Sequence, residues 1–157
     1  MEMRRKDRQV NGEEALREIL EACQVVRIAM QDEEGLYIVP MNFGYDYENG
    51  KLALYVHSAR EGRKVSAFRR NGQIAFEMDC GHELVEGNQA CQYSYRYKSI
   101  VGNGEIVELE NPEDKTKGLQ ALMRRFSDRT FDFNEKMLAV VSVFRIDASG
   151  FTGKSRV

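Results

Sequence analysis

The chain has 157 residues, 42% hydrophobic and 31% charged, with a formal net charge of −2. That length suits one domain over residues 1–157, whose core needs no metal or disulfide to hold it. The charge balance gives no general reason to expect nucleic acid, no apolar run approaches the ~18 residues of a membrane span, and two prolines without low-complexity tracts exclude a linker.

In chain order, the cluster Arg4-Arg5-Lys6-Asp7-Arg8 reads as a solvated basic arm. It lacks the apolar segment of a signal peptide. Asn11 is placed to cap a helix with Glu13 and Glu14 in its first turn. Ala15, Leu16, Ile19, Leu20 and Cys23 give that helix one apolar stripe, ending near Ala22. Val25 to Met30 reads as a strand and Asp32 to Gly35 as a turn. Leu36 to Tyr45 is a second strand, in which Pro40 marks a bulge or a sheet edge.

Asn49-Gly50 is a hairpin signal, with Leu52 to His57 as the returning strand. Arg63 to Arg70 predicts a short helix with Val65 and Phe68 inward, closed by a left-handed cap at Asn71-Gly72. Gln73 to Met78 is a strand. Cys80 to Ala90 reads as a loop, although Glu83 to Glu86 could extend that strand. Tyr93, Tyr95 and Tyr97 alternate with polar residues, and the strand runs on to Leu109 with a kink or close approach at Gly102 and Gly104. Asn111-Pro112 starts a helix with Leu119, Leu122, Met123 and Phe126 on its buried side. Met137 to Ile146 is a last strand, followed by a basic tail from Phe151 to Arg156. Hairpin-linked strands dominate, so the expectation is a mainly β fold, an antiparallel sheet curled closed with peripheral helices.

The segment His57-Ser58-Ala59-Arg60-Glu61-Gly62-Arg63-Lys64 joins a strand to a helix. Unpaired N–H groups at a helix start attract anions, and two cations beside them add charge-assisted hydrogen bonds. The same residues also read as a plain solvated helix start. Val39-Pro40-Met41-Asn42-Phe43-Gly44 offers freed backbone groups to a planar polar ring, or is simply an irregular edge strand. The three alternating tyrosines read as a stacking platform, as core or as a dimer interface. His57 lacks a neighbouring nucleophile, and Cys80, His82 and Glu83 match no common metal spacing. Three cysteines without CxxC spacing point away from a disulfide framework and toward a reducing, cytoplasmic setting.

Taken together, Met3 to Arg8, Val39-Pro40-Met41-Asn42-Phe43-Gly44, Tyr55-Val56-His57-Ser58-Ala59, Gly62-Arg63-Lys64 and Thr152-Gly153-Lys154 resemble the pyridoxamine 5′-phosphate oxidase-like flavin proteins. The closest branch is the nitroimidazole-resistance type. The resemblance implies a six-stranded FMN-binding split barrel and a homodimer with two flavin sites between subunits. Val39, Pro40, Met41, Asn42 and Phe43 would run beside the flavin ring. His57, Ser58, Gly62, Arg63 and Lys64 would hold the phosphate, and Tyr97, Ser99 and Val101 would come from the partner. Phe151 to Val157 departs from the Arg-x-His substrate-gripping pattern of the pyridoxamine-oxidising enzymes, which argues against that substrate. The implied activity is FMN-dependent electron transfer from a reduced nicotinamide or other donor to a small-molecule acceptor such as a nitroimidazole, with no catalytic side chain named. The alternative is a flavin- or heme-binding protein that senses or stores without turnover.

Overall fold

The structure is a computed structural model that describes residues 2–157. Within them the chain forms strands β1 (Gln9–Val10), β2 (Val25–Asp32), β3 (Gly35–Asn42), β4 (Gly44–Glu48), β5 (Lys51–Ser58), β6 (Gln73–Val85), β7 (Ser94–Leu109) and β8 (Ser142–Arg156). Helices α1 (Glu13–Ala22), α2 (Arg63–Arg70), α3 (Pro112–Met123) and α4 (Glu135–Ala139) lie between them. The strand count is therefore eight, against the six expected, all in one antiparallel sheet.

The strand order β3-β2-β6-β7-β8-β5-β4 decides the shape. Laid flat, its two end strands would stand roughly 29 Å apart at ~4.8 Å per gap. Yet β3 and β4 are joined by Phe43 alone, a link that spans about 7 Å. The sheet has to curl until its ends meet, which makes it a barrel. Phe43 sits buried at the seam.

Alternation fills the interior. Val26, Ile28 and Met30 of β2, Val39 and Met41 of β3, Leu52, Leu54 and Val56 of β5, and Phe144 and Ile146 of β8 form one buried cluster. Ile19 and Leu20 of α1, Cys23 just after it, and Val65, Ala67 and Phe68 of α2 complete it, with Phe68 edge-on to Phe144 at 5.2 Å. A second cluster lies outside the barrel, where Leu119, Ala121 and Leu122 of α3 cover Tyr55 and Val143. Gly44 lets α3 approach this closely, since a Cβ there would lie 2.4 Å from the Ala121 carbonyl carbon. Arg125, just past α3, donates to the carbonyls of Leu20, Glu21 and Cys23 and so satisfies the open end of α1.

Several local expectations change. The α1 cap is Gly12 at φ 95°, with no side-chain bond, and not Asn11. Asn71 at φ −140° is extended, so no left-handed cap ends α2. Of the two readings of Pro40, the edge holds and the bulge does not: it pairs with Arg27 in an unbroken ladder on an edge strand. Residues 80–85 are not a loop; the alternative of an extended strand holds as far as Val85, with β6 running through a bulge between Cys80 and Glu83 and Gly81 at φ 68°. Met137 falls in α4, capped by the Asn134 side chain, and Phe126 lies exposed beyond α3.

The basic tail is not frayed. Residues 151–156 belong to β8, paired with β7 and, at Lys154 and Gly153, with β1. The N-terminal arm is held where Gln9 and Val10 of β1 pair with Lys154 and Gly153, and within the arm Arg5 is bonded to Asp7.

Candidate functional site

The candidate residues fall into groups fixed by the pleat. His57 and Ser58 are successive residues of β5 and point to opposite faces. His57 lies on the exposed outer side, and desolvation by its surroundings holds its pKa below the ordinary histidine value. Ser58 faces inward, opposite Ser142, and its Oγ is buried without a hydrogen-bond partner. Four residues on, Gly62 at φ 139° starts α2 with no side-chain cap, leaving the first N–H groups of the helix open. A residue with a Cβ is strained at that φ, although the space around Gly62 is open.

The two cations that follow behave differently. Arg63 is bound to Asp32 through Nε and Nη2, at 2.7 and 3.0 Å, and its guanidinium lies 4.1 Å from the Tyr37 ring centroid. That hydrogen bonding holds the Asp32 carboxyl below the usual carboxylate range. Lys64 is half-buried and has no ion-pair partner among the described residues. Lys64 is the cation left for an anion at the open helix start.

In the segment Val39 to Phe43, Val39, Met41 and Phe43 are part of the barrel core. Only Pro40 and Asn42 face outward, and Asn42 donates from Nδ2 to the Gln24 carbonyl at 3.0 Å. What this segment offers a ligand is its edge backbone and those two side chains. Tyr97, Ser99 and Val101 point outward on β7, across from Arg156, Lys154 and Thr152 of β8. Burial would push the Tyr97 phenol up, but hydrogen bonds from Lys154 and Arg8 outweigh it and hold its pKa low. Lys154 Nζ also lies 5.9 Å from the Tyr97 ring centroid.

The ladder registers locate these groups relative to one another. Pro40, Arg27, Glu77, Val101 and Thr152 form one row across the outer face. His57 lies in a different row, opposite Val143, which pairs with Leu109. Leu109 is ten residues from Ser99 on β7, roughly 30 Å along the strand at ~3.3 Å per residue. One chain therefore holds His57 and Ser58 far from Tyr97, Ser99 and Val101.

Composition did not reveal two further features. Asp79 shares Arg27 with Glu77 at 3.4 and 3.2 Å and meets His82 Nε2 at 3.2 Å. Burial, then the Asp79 charge, raises the Glu77 pKa. A cavity of about 640 Å³ lies between Arg60, Arg69, Lys115 and α4; it takes Arg60 from the His57–Lys64 segment but is lined by none of the expected site residues. Only the register could have found the first, and the packing of α4 the second. Among the described residues, no group of three or more His, Cys, Asp or Glu side chains is arranged to hold a metal, and no helix is long and apolar enough to cross a membrane.

Comparison with known proteins follows the same outline. A solved structure described as a candidate 5-nitroimidazole antibiotic resistance protein of Bacteroides thetaiotaomicron is 30% identical, with TM-score 0.81 over 94% of this chain and 86% of that one. An FAD- and heme-binding protein of Mycobacterium smegmatis, 19% identical, shares the fold at TM-score 0.81 over 94% and 73% of the two chains. A flavocytochrome of Azotobacter vinelandii, 16% identical, does so at 0.80 over 99% and 72%. No match was found among curated protein sequences. The family model for pyridoxamine 5′-phosphate oxidase matches residues 12–155, and the chain belongs to that family.

Proposed function

We propose that residues 1–157 form one domain of an FMN-binding flavoprotein. It acts in the cytoplasm as a homodimeric oxidoreductase that passes electrons from a reduced nicotinamide or another donor to a small acceptor such as a nitroimidazole. The observation that carries this reading is the combination of the partnerless, buried Ser58 hydroxyl, the uncapped start of α2 and the unpaired Lys64. A phosphate monoester suits that set, because it accepts from hydroxyl, backbone N–H and ammonium together. Bound FMN would supply the electron chemistry; the chain's own residues bind and orient it.

Ser58, Gly62 and Lys64 hold the phosphate in this reading, while His57, on the opposite face of β5, stands outside that set. The free backbone edge of β3, with Pro40 and Asn42, lies along the ring. The separation of His57 from Tyr97, Ser99 and Val101 within one chain supports a site completed by a second copy. Exposed Leu36, Ile38 and Val101 on the outer face give that copy an apolar surface to cover. The similarity to the Bacteroides protein supports the nitro-compound class of acceptor.

The test is reconstitution. The protein is stripped of small molecules and titrated with FMN, FAD and heme separately. FMN binding at one equivalent per subunit, followed by nicotinamide-dependent reduction of a nitroimidazole, is the expected outcome. Preferential heme binding with a Soret band contradicts it. Binding of FMN without turnover on any donor leaves only the cofactor assignment standing and rejects the oxidoreductase.

A further inference from the structure

The flavin reading makes no use of the cavity of about 640 Å³ where the ends of α2, β7 and α4 meet the start of α3. Its size falls in the range of about 300–1,000 Å³ that small-molecule sites occupy. Leu109, Leu138 and Val141 give it an apolar wall, the first two of them buried.

Three cations line the cavity, and they are not equivalent. Arg69 is already occupied, bonded to Glu108 from Nε at 2.7 Å and from Nη2 at 2.8 Å. Arg60 and Lys115 meet only neutral acceptors among the described residues. Arg60 Nη1 donates to the Ala139 carbonyl at 2.8 Å. Lys115 Nζ donates to the Leu138 carbonyl and, at 2.8 Å, to that of Val141. These three carbonyls lie within four residues of one another, so the two cationic heads converge on the end of α4. A guanidinium carries five N–H donors and an ammonium three, which leaves most of those on Arg60 and one on Lys115 open. Burial, then the charge of Arg60, holds the Lys115 pKa below the ordinary lysine value, and Glu108 offsets this only in part. Two like charges with no carboxylate of their own are stabilised by an anion placed between them.

The remaining charges limit what that anion is. Glu110 and Glu135 also line the cavity, exposed and without an ion pair among the described residues. A ligand's second negative charge would be repelled by them, so one charge suits the site and two do not.

We propose that this cavity binds a small organic monocarboxylate with an apolar body, at a site separate from the flavin. The carboxylate bridges Arg60 and Lys115 through charge-assisted hydrogen bonds, and the body lies along Leu109, Leu138 and Val141. Both cations already hold the last carbonyls of α4, so a ligand that fixes them also fixes that helix. None of the residues assigned to FMN lines the cavity, and the site stands whether or not FMN binds.

The folded, full-length chain is titrated calorimetrically at neutral pH with benzoate, neutral benzamide and doubly charged phthalate. Benzoate should bind at one per subunit, about tenfold or more tightly than either of the others. Hydrogen exchange at the amides of residues 135–141 should slow when it is bound. Arg60→Gln and Lys115→Met should each weaken benzoate binding by about tenfold or more, whereas Lys64→Ala leaves it unchanged. If Lys115→Met fails to fold, Arg60→Gln, at an exposed side chain, carries the test. No saturable benzoate binding, equal binding of benzamide, or tighter binding of phthalate overturns the proposal. So does benzoate binding that Lys64→Ala removes and Arg60→Gln does not.

Discussion

Arg63 and Asp32 form a two-point pair, Nε to Oδ2 at 2.7 Å and Nη2 to Oδ1 at 3.0 Å, that joins the start of α2 to the end of β2. A guanidinium so occupied has less to give a phosphate than the unpaired ammonium of Lys64. Lys64→Ala is therefore expected to weaken FMN binding by roughly tenfold or more, the size of a lost charge-assisted hydrogen bond. Arg63→Ala should weaken it less. Fluorescence titration of both variants checks the order, and a larger effect at Arg63 would reverse this assignment.

Gly44 carries the contact between β4 and α3. A methyl group there would sit 2.4 Å from the Ala121 carbonyl carbon and 2.5 Å from the Leu122 nitrogen, both backbone atoms that cannot swing aside. Gly44→Ala should cost about 1–3 kcal/mol or more as α3 is pushed from the sheet. Leu54→Ala, in the barrel interior, should cost about 2–5 kcal/mol through the cavity it leaves. Urea denaturation of each variant, with the slope unchanged, measures both.

Alkaline pH should expose the Tyr45–Glu21 hydrogen bond, 2.6 Å long. Burial first, then Glu21, pushes the Tyr45 phenol up to about 12 from an ordinary 10.0. The unfolded chain releases this proton near 10 while the folded chain still holds it. Stability is thus complete below pH 10 and falls as pH rises toward 12. Tyr45→Phe should flatten that fall in urea melts; an unchanged slope with pH would remove Tyr45 as its source.

Much of the fold was legible where the signal is local. Asn49 at φ 52° and Gly50 at φ 75° make the predicted tight turn, and α2 spans Arg63–Arg70 as its apolar spacing implies. The Asn111 side chain accepts from the Glu113 N–H at 2.8 Å as expected of a cap before proline. Long-range pairing was not legible. The run Phe151 to Arg156 looks like a tail until β1 and β7 flank it, and Asp79 looks unpaired until register brings Arg27 across. The candidate site shared this division. Its proposed phosphate end is a contiguous sequence feature, but the distance from Ser58 to Ser99 depends on how three strands, β5, β8 and β7, align.

That alignment leads to a further expectation. Val101 is 42% exposed between Glu77 and Thr152, on the face assigned to a second copy. Light scattering should find the unaltered chain dimeric and Val101→Glu shifted toward monomer, because a buried unpaired carboxylate opposes association. The same variant should lose FMN affinity while its thermal unfolding as a monomer stays cooperative. A monomeric parent chain that binds FMN fully would refute the shared site.

The most direct measurement is the visible absorption spectrum of the protein as first purified, followed by chromatography of the pigment released by heat. The account predicts a yellow protein with two broad flavin bands and FMN as the released pigment, close to one per subunit. A colourless protein that takes up no FMN when it is supplied, or one with a single sharp heme band, contradicts it.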